Sequence, residues 1–292
     1  MGCPFLKESH VKYCRSASVR KLIPLAQAGR GEEKCSSGDF TSCPVFQARP
    51  EEHAASGPCP HLCESLMQYC GAASVARFVP YSEALLSRCG NDSHRYCELY
   101  LSMAHPKGLD DEADGIAQPD WLSYAANHMW LDATEDGACH AGIDAFFSRA
   151  VGNVERVSYV WQSGRHRPTA VLTVAGEDVE VVFPNSFLLT GCNLYLRANP
   201  GRLASEPYTG GWLFEGVRQP ETSLNLRQGA EARRWMEREQ IRMSEFLQQQ
   251  AHPAGRLAAD GGLFVPGVVR QLDRERRLAL FHEFFSPYAS GE

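Results

Sequence analysis

Eight cysteines near the start of the chain repeat one spacing twice. The first four read C-x10-C-x20-C-x7-C and the next four read C-x10-C-x18-C-x7-C. The two sets are Cys3, Cys14, Cys35 and Cys43, followed by Cys59, Cys70, Cys89 and Cys97. Flanking residues repeat as well, because Cys-Pro opens both sets and Tyr13-Cys14 matches Tyr69-Cys70. Four soft thiolates per set is the number that a tetrahedral metal or a cubane cluster requires, so the pattern predicts metal binding.

Three interpretations of these cysteines are compatible with the spacing. Each set closes a zinc site, which contributes on the order of 10 kcal/mol to folding a module that has little core of its own. Alternatively, each set holds an iron–sulfur cluster, which four thiolates also ligate. In the third interpretation the cysteines are reduced, buried residues of a small helical domain. The absence of Cys-x-x-Cys knuckles from the matched set, and the proline after Cys3, Cys43 and Cys59, slightly favour a cluster.

Other candidate ligands do not repeat. Cys63 corresponds to Lys7 of the first set, so we predict a buried small residue, or a reactive thiol if it is exposed beside a cluster. Cys139 and Cys192 lie outside the repeats and are predicted to be core residues. Three further histidines lack a counterpart in the other set and are predicted to lie at the surface: His10, His61 and His94.

Composition and charge exclude several classes of partner. The chain has 292 residues, 43% hydrophobic content and a net charge of −6, so no overall field favours nucleic acid or anionic lipid. The N-terminus lacks a basic start and a long apolar run, which predicts a cytoplasmic protein without a membrane segment. In a reducing cytosol the eleven cysteines are predicted to be metal ligands, redox groups or core residues rather than disulfides. No P-loop, nucleophile elbow or His-Glu-x-x-His pair is present, which favours a non-enzymatic protein.

The sequence predicts an α+β chain of several domains. A helical, cysteine-rich region with two metal-binding repeats occupies 1–103, and an acidic linker with Gly and Pro occupies 104–120. A β-rich domain follows at 121–217 and a helical region at 218–292.

Periodicity and propensity predict the individual elements. In the first region the expected helical pieces are Ser18–Gln27 and Ser74–Ser87. The expected strands are Val157–Trp161, Thr169–Val174 and Asp178–Phe183, with a helical turn at Gly142–Arg149 inserted between strands. The expected C-terminal helices are Gly229–Gln250 and a second one after Pro266-Gly267.

The β-rich residues carry a family resemblance over about 120–217. The ordered landmarks are His128-Met129-Trp130, Gly142-Ile143-Asp144-Ala145-Phe146, Gly152-Asn153-Val154 and Pro207-Tyr208-Thr209-Gly210-Gly211-Trp212-Leu213. They resemble the landmarks of the glycine cleavage system H protein. The resemblance implies a lipoyl-type fold, a small flattened β-barrel or pair of sheets, with a hairpin that normally presents a lysine carrying lipoic acid.

The hairpin departs from the family. Placing the family's turn on Thr190-Gly191 puts Glu180 where the lipoyl lysine belongs, and a carboxylate cannot form the lipoyl amide. Shifting the alignment does not restore a lysine, because none occurs after Lys107. We therefore expect no lipoate. Glu180 is predicted to be either an exposed carboxylate at the hairpin tip without a role, or part of an acidic turn at Glu177–Glu180 that serves as a docking surface.

These observations favour a non-enzymatic, H-protein-like chain that docks onto a protein partner and carries two four-cysteine sites, with zinc or an iron–sulfur cluster in each. The alternative is an electron-transfer protein, or an accessory subunit of a redox enzyme, with two iron–sulfur clusters.

Overall fold

A computed structural model shows two compact units, Met1–Asn91 and Asp92–Glu292, and each is considered by itself. It describes residues 2–18, 23–24, 34–48, 57–75, 77–79, 88–104, 116–135, 137–162, 164–218, 225–250 and 263–287. Most of the predicted linker at 104–120 lies outside these residues, and the four-part division of the chain stays a prediction.

The first unit contains a four-stranded antiparallel sheet of order β2-β1-β3-β4. Its strands are β1 Leu6–Cys14, β2 Ile23–Pro24, β3 Leu62–Cys70 and β4 Arg77–Val79. The two long strands are the matching segments of the two cysteine repeats. They pair along their whole length, from Leu6 opposite Cys70 to Cys14 opposite Leu62. The sheet is therefore built from both repeats.

A short helical segment follows β2 in the first repeat. The Ser37 hydroxyl accepts a hydrogen bond from the Asp39 amide at 3.4 Å and caps a 3-10 helix at Gly38–Ser42. Helix α1, Pro44–Ala48, begins with proline, whose fixed φ suits the first helical turn. Phe40 and Phe46 pack edge to face, with ring centroids 5.0 Å apart, and form a small core.

The described residues do not show the helical cysteine-rich domain that the sequence predicts. Strands β2 and β4 lie inside the two predicted helical pieces, Ser18–Gln27 and Ser74–Ser87. Much of the remainder of both pieces falls outside the described residues. Local propensity is overridden here because β2 and β4 each pair with the long strand of their own repeat and extend the sheet at its two edges.

The second unit contains two antiparallel sheets. The six-stranded sheet has the order β5-β6-β7-β13-β12-β9 and the three-stranded sheet has the order β11-β10-β8. The strands are β5 Ser123–Tyr124, β6 Met129–Ala133, β7 Ala138–Ile143, β8 Arg156–Val160, β9 Arg165–His166, β10 Thr169–Val174, β11 Glu177–Val182, β12 Phe187–Cys192 and β13 Phe214–Val217. The three predicted strands are confirmed as β8, β10 and β11, within a residue at each end.

Helices of the second unit flank these sheets. The α-helices are α2 Glu98–Ala104, α3 Ala145–Val151, α4 Arg202–Ser205, α5 Gly229–Gln250 and α6 Arg274–Leu280. Short 3-10 helices occur at Asp92–Tyr96, Leu194–Arg197 and Val268–Gln271, and α6 continues into a π-helical turn at Phe281–Phe285. The structure confirms α5 at its predicted bounds and α3 as the predicted helical insertion. None of the helices in the described residues is both long and apolar enough to cross a membrane.

The C-terminal helices share one core with the β-rich residues. Helix α5 buries a stripe at helical spacing, Ala232, Trp235, Met236, Met243 and Leu247. Aromatic residues from the last part of the chain complete this core, and Phe284 and Phe285 are both buried. Each large side chain removed from water contributes roughly 1.5–3 kcal/mol, so α5 is an integral part of the second unit.

Candidate functional site

The hairpin of β10 and β11 is the place where the sequence predicts a departure from its relatives. Val174 pairs with Glu177, so the turn consists of Ala175 and Gly176. Both turn residues have positive φ, 52° and 75°, as a two-residue hairpin connection requires. Open space surrounds Gly176, where an added Cβ would meet no atom within 4 Å. The tip therefore presents two small residues with no side-chain chemistry.

Glu180 does not lie at this tip. It is an exposed residue within β11 and sits opposite Val171, so its placement at the turn is wrong. The alignment on Thr190-Gly191 displaced the hairpin because that pair belongs to β12. Neighbouring acids are engaged within the unit. Glu177 lies 3.1 Å from Arg274, and Asp178 lies 3.2 Å from Arg156.

A buried charged cluster connects β6, α3 and α5. His128 directly precedes β6 and is fully buried, with its Nδ1 2.9 Å from Asp144 Oδ2 and its Nε2 3.5 Å from Glu239 Oε2. Asp144 also caps α3 by accepting the Phe147 amide at 2.9 Å. Glu239 is 1% exposed and accepts from Arg242 at 2.8 Å. Two carboxylates thus flank one imidazole inside the unit.

The charges of this cluster are mutually stabilising. Burial alone disfavours an imidazolium, but Asp144 and Glu239 outweigh it and raise the pKa of His128. Burial likewise disfavours the Glu239 carboxylate, yet His128 and Arg242 lower its pKa. Glu239 is not among the predicted site residues, although it lies on the apolar stripe of α5 between Trp235 and Met243, where an acid indicates a buried partner.

Cys97 lies in the second unit on an anchored segment. The preceding residue, Tyr96, is buried, donates to Asp132 at 2.7 Å and stacks on His140 with ring centroids 4.1 Å apart. The following residue, Glu98, accepts two hydrogen bonds from Arg202 at 2.6 and 2.7 Å. Its neighbours on both sides therefore fix the backbone at Cys97.

In the first unit, cysteines of both repeats share one small core. Cys35 and Cys43 pack against Phe40, Phe46 and Cys59. The Cys59 amide donates to the Cys35 carbonyl at 2.8 Å, which holds the start of the second repeat beside the third cysteine of the first. Within the described residues, no three His, Cys, Asp or Glu side chains are already grouped closely enough to hold a metal ion. Metal binding by the eight cysteines stays a prediction.

The remaining thiols and histidines occupy varied positions. Cys63 is half-buried opposite Tyr13 in the β1–β3 ladder. Cys139 is buried, as predicted, and burial raises its pKa to about 12, so the thiol is unreactive at neutral pH. His61 and His94 are both buried, so their predicted placement at the surface is wrong.

Comparison with known proteins finds relatives that share one name. The chain is 32% identical over 113 residues to the glycine cleavage system H protein of Micrococcus luteus, a match that spans 36% of this chain and 86% of that protein. The H protein of Deinococcus deserti is 34% identical over 104 residues, which span 34% of this chain and 82% of the relative. The chain belongs to the glycine cleavage system H protein family.

The membership rests on about a third of the chain. No family model matches the sequence. The crystal structure of a glycine cleavage system H protein from Mycobacterium marinum is 26% identical, spans 39% of this chain and 94% of that structure, and aligns with a TM-score of 0.33.

The H-protein landmarks interlock in the structure. The Trp130 indole N–H donates to the carbonyls of Ile143 and Pro207 at 2.9 and 3.1 Å. The Tyr208 hydroxyl accepts from the Ala145 amide at 2.9 Å and donates to the Ala117 carbonyl at 2.6 Å. These residues join β6, α3 and the segment before β13.

Gly142 lies directly beneath Trp130, which provides a test of this packing. A Cβ on Gly142 would approach the indole to 2.7 Å, so Gly142→Ala is expected to destabilise the second unit by about 2 kcal/mol through overpacking. Urea denaturation followed by tryptophan fluorescence measures the change. Gly201→Ala is the matched control, since its Cβ would meet only an Asn199 side-chain oxygen at 3.5 Å. Equal stability of the two variants would contradict the packing argument.

Lipoate does not fit the H-protein region of this chain. The hairpin tip holds Ala175 and Gly176, and no lysine follows Lys107. A lipoyl amide needs a primary amine on the protein, and no side chain from 108 to 292 supplies one. No step of an aminomethyl shuttle can therefore be assigned to this region.

Proposed function

We propose that this chain is a non-enzymatic H-protein homologue that docks onto a protein partner without lipoylation. The loss of the lysine from a retained hairpin carries this proposal. An H-protein homologue without the lysine cannot carry lipoate, so the function that remains available to it is recognition of a partner through its surface. The partner we propose is a protein of the glycine cleavage system, the system named for the relatives of this chain.

Two exposed side chains, one on the three-stranded sheet and one directly after its strand β8, support a docking role. Trp161, directly after β8, is 62% exposed, and Glu180 projects from β11 as an exposed carboxylate. Tryptophan is enriched at the energetic centres of protein interfaces. We therefore propose Trp161 as a contact residue for the partner, at the end of this sheet away from the Ala175-Gly176 tip.

Two measurements test this function. Incubation of the purified chain with a lipoylating enzyme is expected to leave its mass unchanged, because no acceptor amine follows Lys107. Surface plasmon resonance against purified glycine cleavage system proteins is expected to show binding that Trp161→Ala weakens at least tenfold. Tyr195→Ala is the control, since Tyr195 is 60% exposed on a different element. A lipoyl adduct on residues 108–292, or no binding, would refute the proposal.

The cysteine repeats extend the proposed function. We assign zinc or an iron–sulfur cluster to two four-cysteine sites that stabilise the chain or sense metal and redox state. The same eight thiolates support the second candidate, an electron-transfer protein or redox-enzyme subunit. Brown colour and charge-transfer absorption after anaerobic purification favour that candidate, whereas a colourless protein with about two zinc ions per chain favours the structural role.

A further inference from the structure

The pairing of β1 with β3 places the two cysteine repeats in reciprocal contact. Cys14, the second cysteine of the first repeat, lies opposite Leu62, which follows the first cysteine of the second repeat. Cys70 lies opposite Leu6 in the matching arrangement. Each repeat thus brings its second cysteine to the region where the other repeat begins.

Backbone hydrogen bonds also connect each repeat to the other, an arrangement that we call the exchange. The Cys59 amide donates to the Cys35 carbonyl at 2.8 Å, and the Cys3 amide donates to the Cys89 carbonyl at 2.9 Å. The first cysteine of each repeat is therefore bonded to the third cysteine of the other. Two independent bonds of the same kind show that the exchange is a property of the fold and not a local irregularity.

Side-chain packing brings three cysteines together, and the strand register places a fourth on the same face. Cys35, Cys43 and Leu62 all pack against the small core that contains Cys59. Residues directly opposite each other in an antiparallel ladder project to the same face, so Cys14 lies on the face of Leu62. The Leu62 amide also donates to the Cys59 carbonyl at 2.9 Å, in a turn that holds Cys59 beside the strand end.

We infer that Cys14, Cys35, Cys43 and Cys59 are the ligands of one metal centre, so that three thiolates come from the first repeat and one from the second. The inference rests on the proposed metal-binding function and specifies its ligands. The donor set is four thiolates, which suits zinc or an iron–sulfur cluster. Because the thiols are not yet grouped at coordinating positions, binding closes the site by moving side chains on a backbone already in place.

This assignment separates two groupings that sequence spacing cannot distinguish. If sites follow the linear repeats, Cys3 completes the site of Cys14, Cys35 and Cys43. In the exchanged arrangement Cys59 completes it, and Cys3 belongs with the other set. The consequence is that metal in this site cross-links the two repeats.

Serine substitutions in a common background test the assignment. The full-length Cys35→Ser/Cys43→Ser variant removes one site and is expected to retain about half of the wild-type metal, measured by elemental analysis with the absorption spectrum identifying zinc or iron. Adding Cys59→Ser is expected to cause no further loss, whereas adding Cys3→Ser is expected to remove the remaining metal. Cys63→Ser in the same background is the control and is expected to change nothing.

Each outcome has a defined meaning. Loss of the remaining metal on adding Cys59→Ser, with retention on adding Cys3→Ser, would overturn the exchanged arrangement and leave the metal-binding function intact. Loss of all metal in the starting variant would also overturn it, since the second set should survive. Wild-type protein without metal would instead refute the proposed function itself. Alkylation of the Cys35→Ser variant gives a second readout, in which Cys59 becomes reactive and Cys3 stays protected.

Discussion

Glu239→Gln is expected to lower the free energy of unfolding of the second unit by about 3 kcal/mol, because it leaves buried His128 without one of its two carboxylates. Glutamine keeps the size of the side chain, so the loss reports charge and not volume. Urea denaturation followed by tryptophan fluorescence measures it, since all five tryptophans lie in the second unit and the Trp235 ring stacks on His128 with centroids 4.7 Å apart. Glu237→Gln is the matched control on the exposed face of the same helix.

The pH dependence of this difference follows from the two pKa shifts. The pKa of His128 is raised, so its contribution is full below about pH 6.5 and disappears as the pH rises through the folded-state value. The pKa of Glu239 is lowered, so its contribution is full above about pH 4.3 and disappears as the pH falls through its folded-state value. The stability gap between wild type and Glu239→Gln should therefore be largest between about pH 5 and 6.5. An unchanging gap up to pH 9 would contradict a charged pair.

A lysine at the hairpin tip is expected to convert the chain into a substrate for lipoylation. Ala175→Lys adds no new backbone strain, because Ala175 already has a positive φ. Gly176→Lys is expected to lower stability by roughly 1–2 kcal/mol, because a residue with a Cβ would have to adopt the positive φ of Gly176. An added Cβ at Gly176 would meet no atom within 4 Å. Mass spectrometry after incubation with a lipoylating enzyme should show one lipoyl group on a tip variant and none on the wild type.

Glu180→Lys is the control for position. This lysine would lie on β11 opposite Val171, four residues beyond the tip, and is expected to stay unmodified. Modification of Glu180→Lys without modification of either tip variant would restore the alignment that places the lipoyl position at Glu180. Failure of all three would show that the surroundings of the hairpin, and not only the lysine, have diverged.

Local sequence patterns predicted the elements whose partners lie nearby. Helix α5 follows from a run of strong helix formers with an apolar stripe, and β10 follows from β-branched residues before Ala175-Gly176. The runs of β10 and β11 are separated by two residues that include a glycine, and this is a hairpin signal that the alignment on Thr190-Gly191 overrode. The turn was readable from residue types alone.

The first unit was less accessible to prediction for a physical reason. Strand β1, LKESHVKYC, contains Lys, Glu and Ser, which are weak strand formers, and its partner lies in the other repeat. In the sequence, only the comparison of one repeat with the other contains information about the pairing of β1 with β3. The cluster of His128, Asp144 and Glu239 is similar, because its members come from three elements and only the acid on an apolar stripe of α5 hints at it.

The β1–β3 ladder is centred on one residue pair, His10 opposite Leu66, and these are equivalent positions of the two repeats. Such a register is that of an isologous homodimer, in which each copy offers the same strand to the other. The first unit is thus a two-fold assembly within one polypeptide. A single repeat expressed alone would expose its long strand as an unprotected edge and is expected to associate with a second copy of itself.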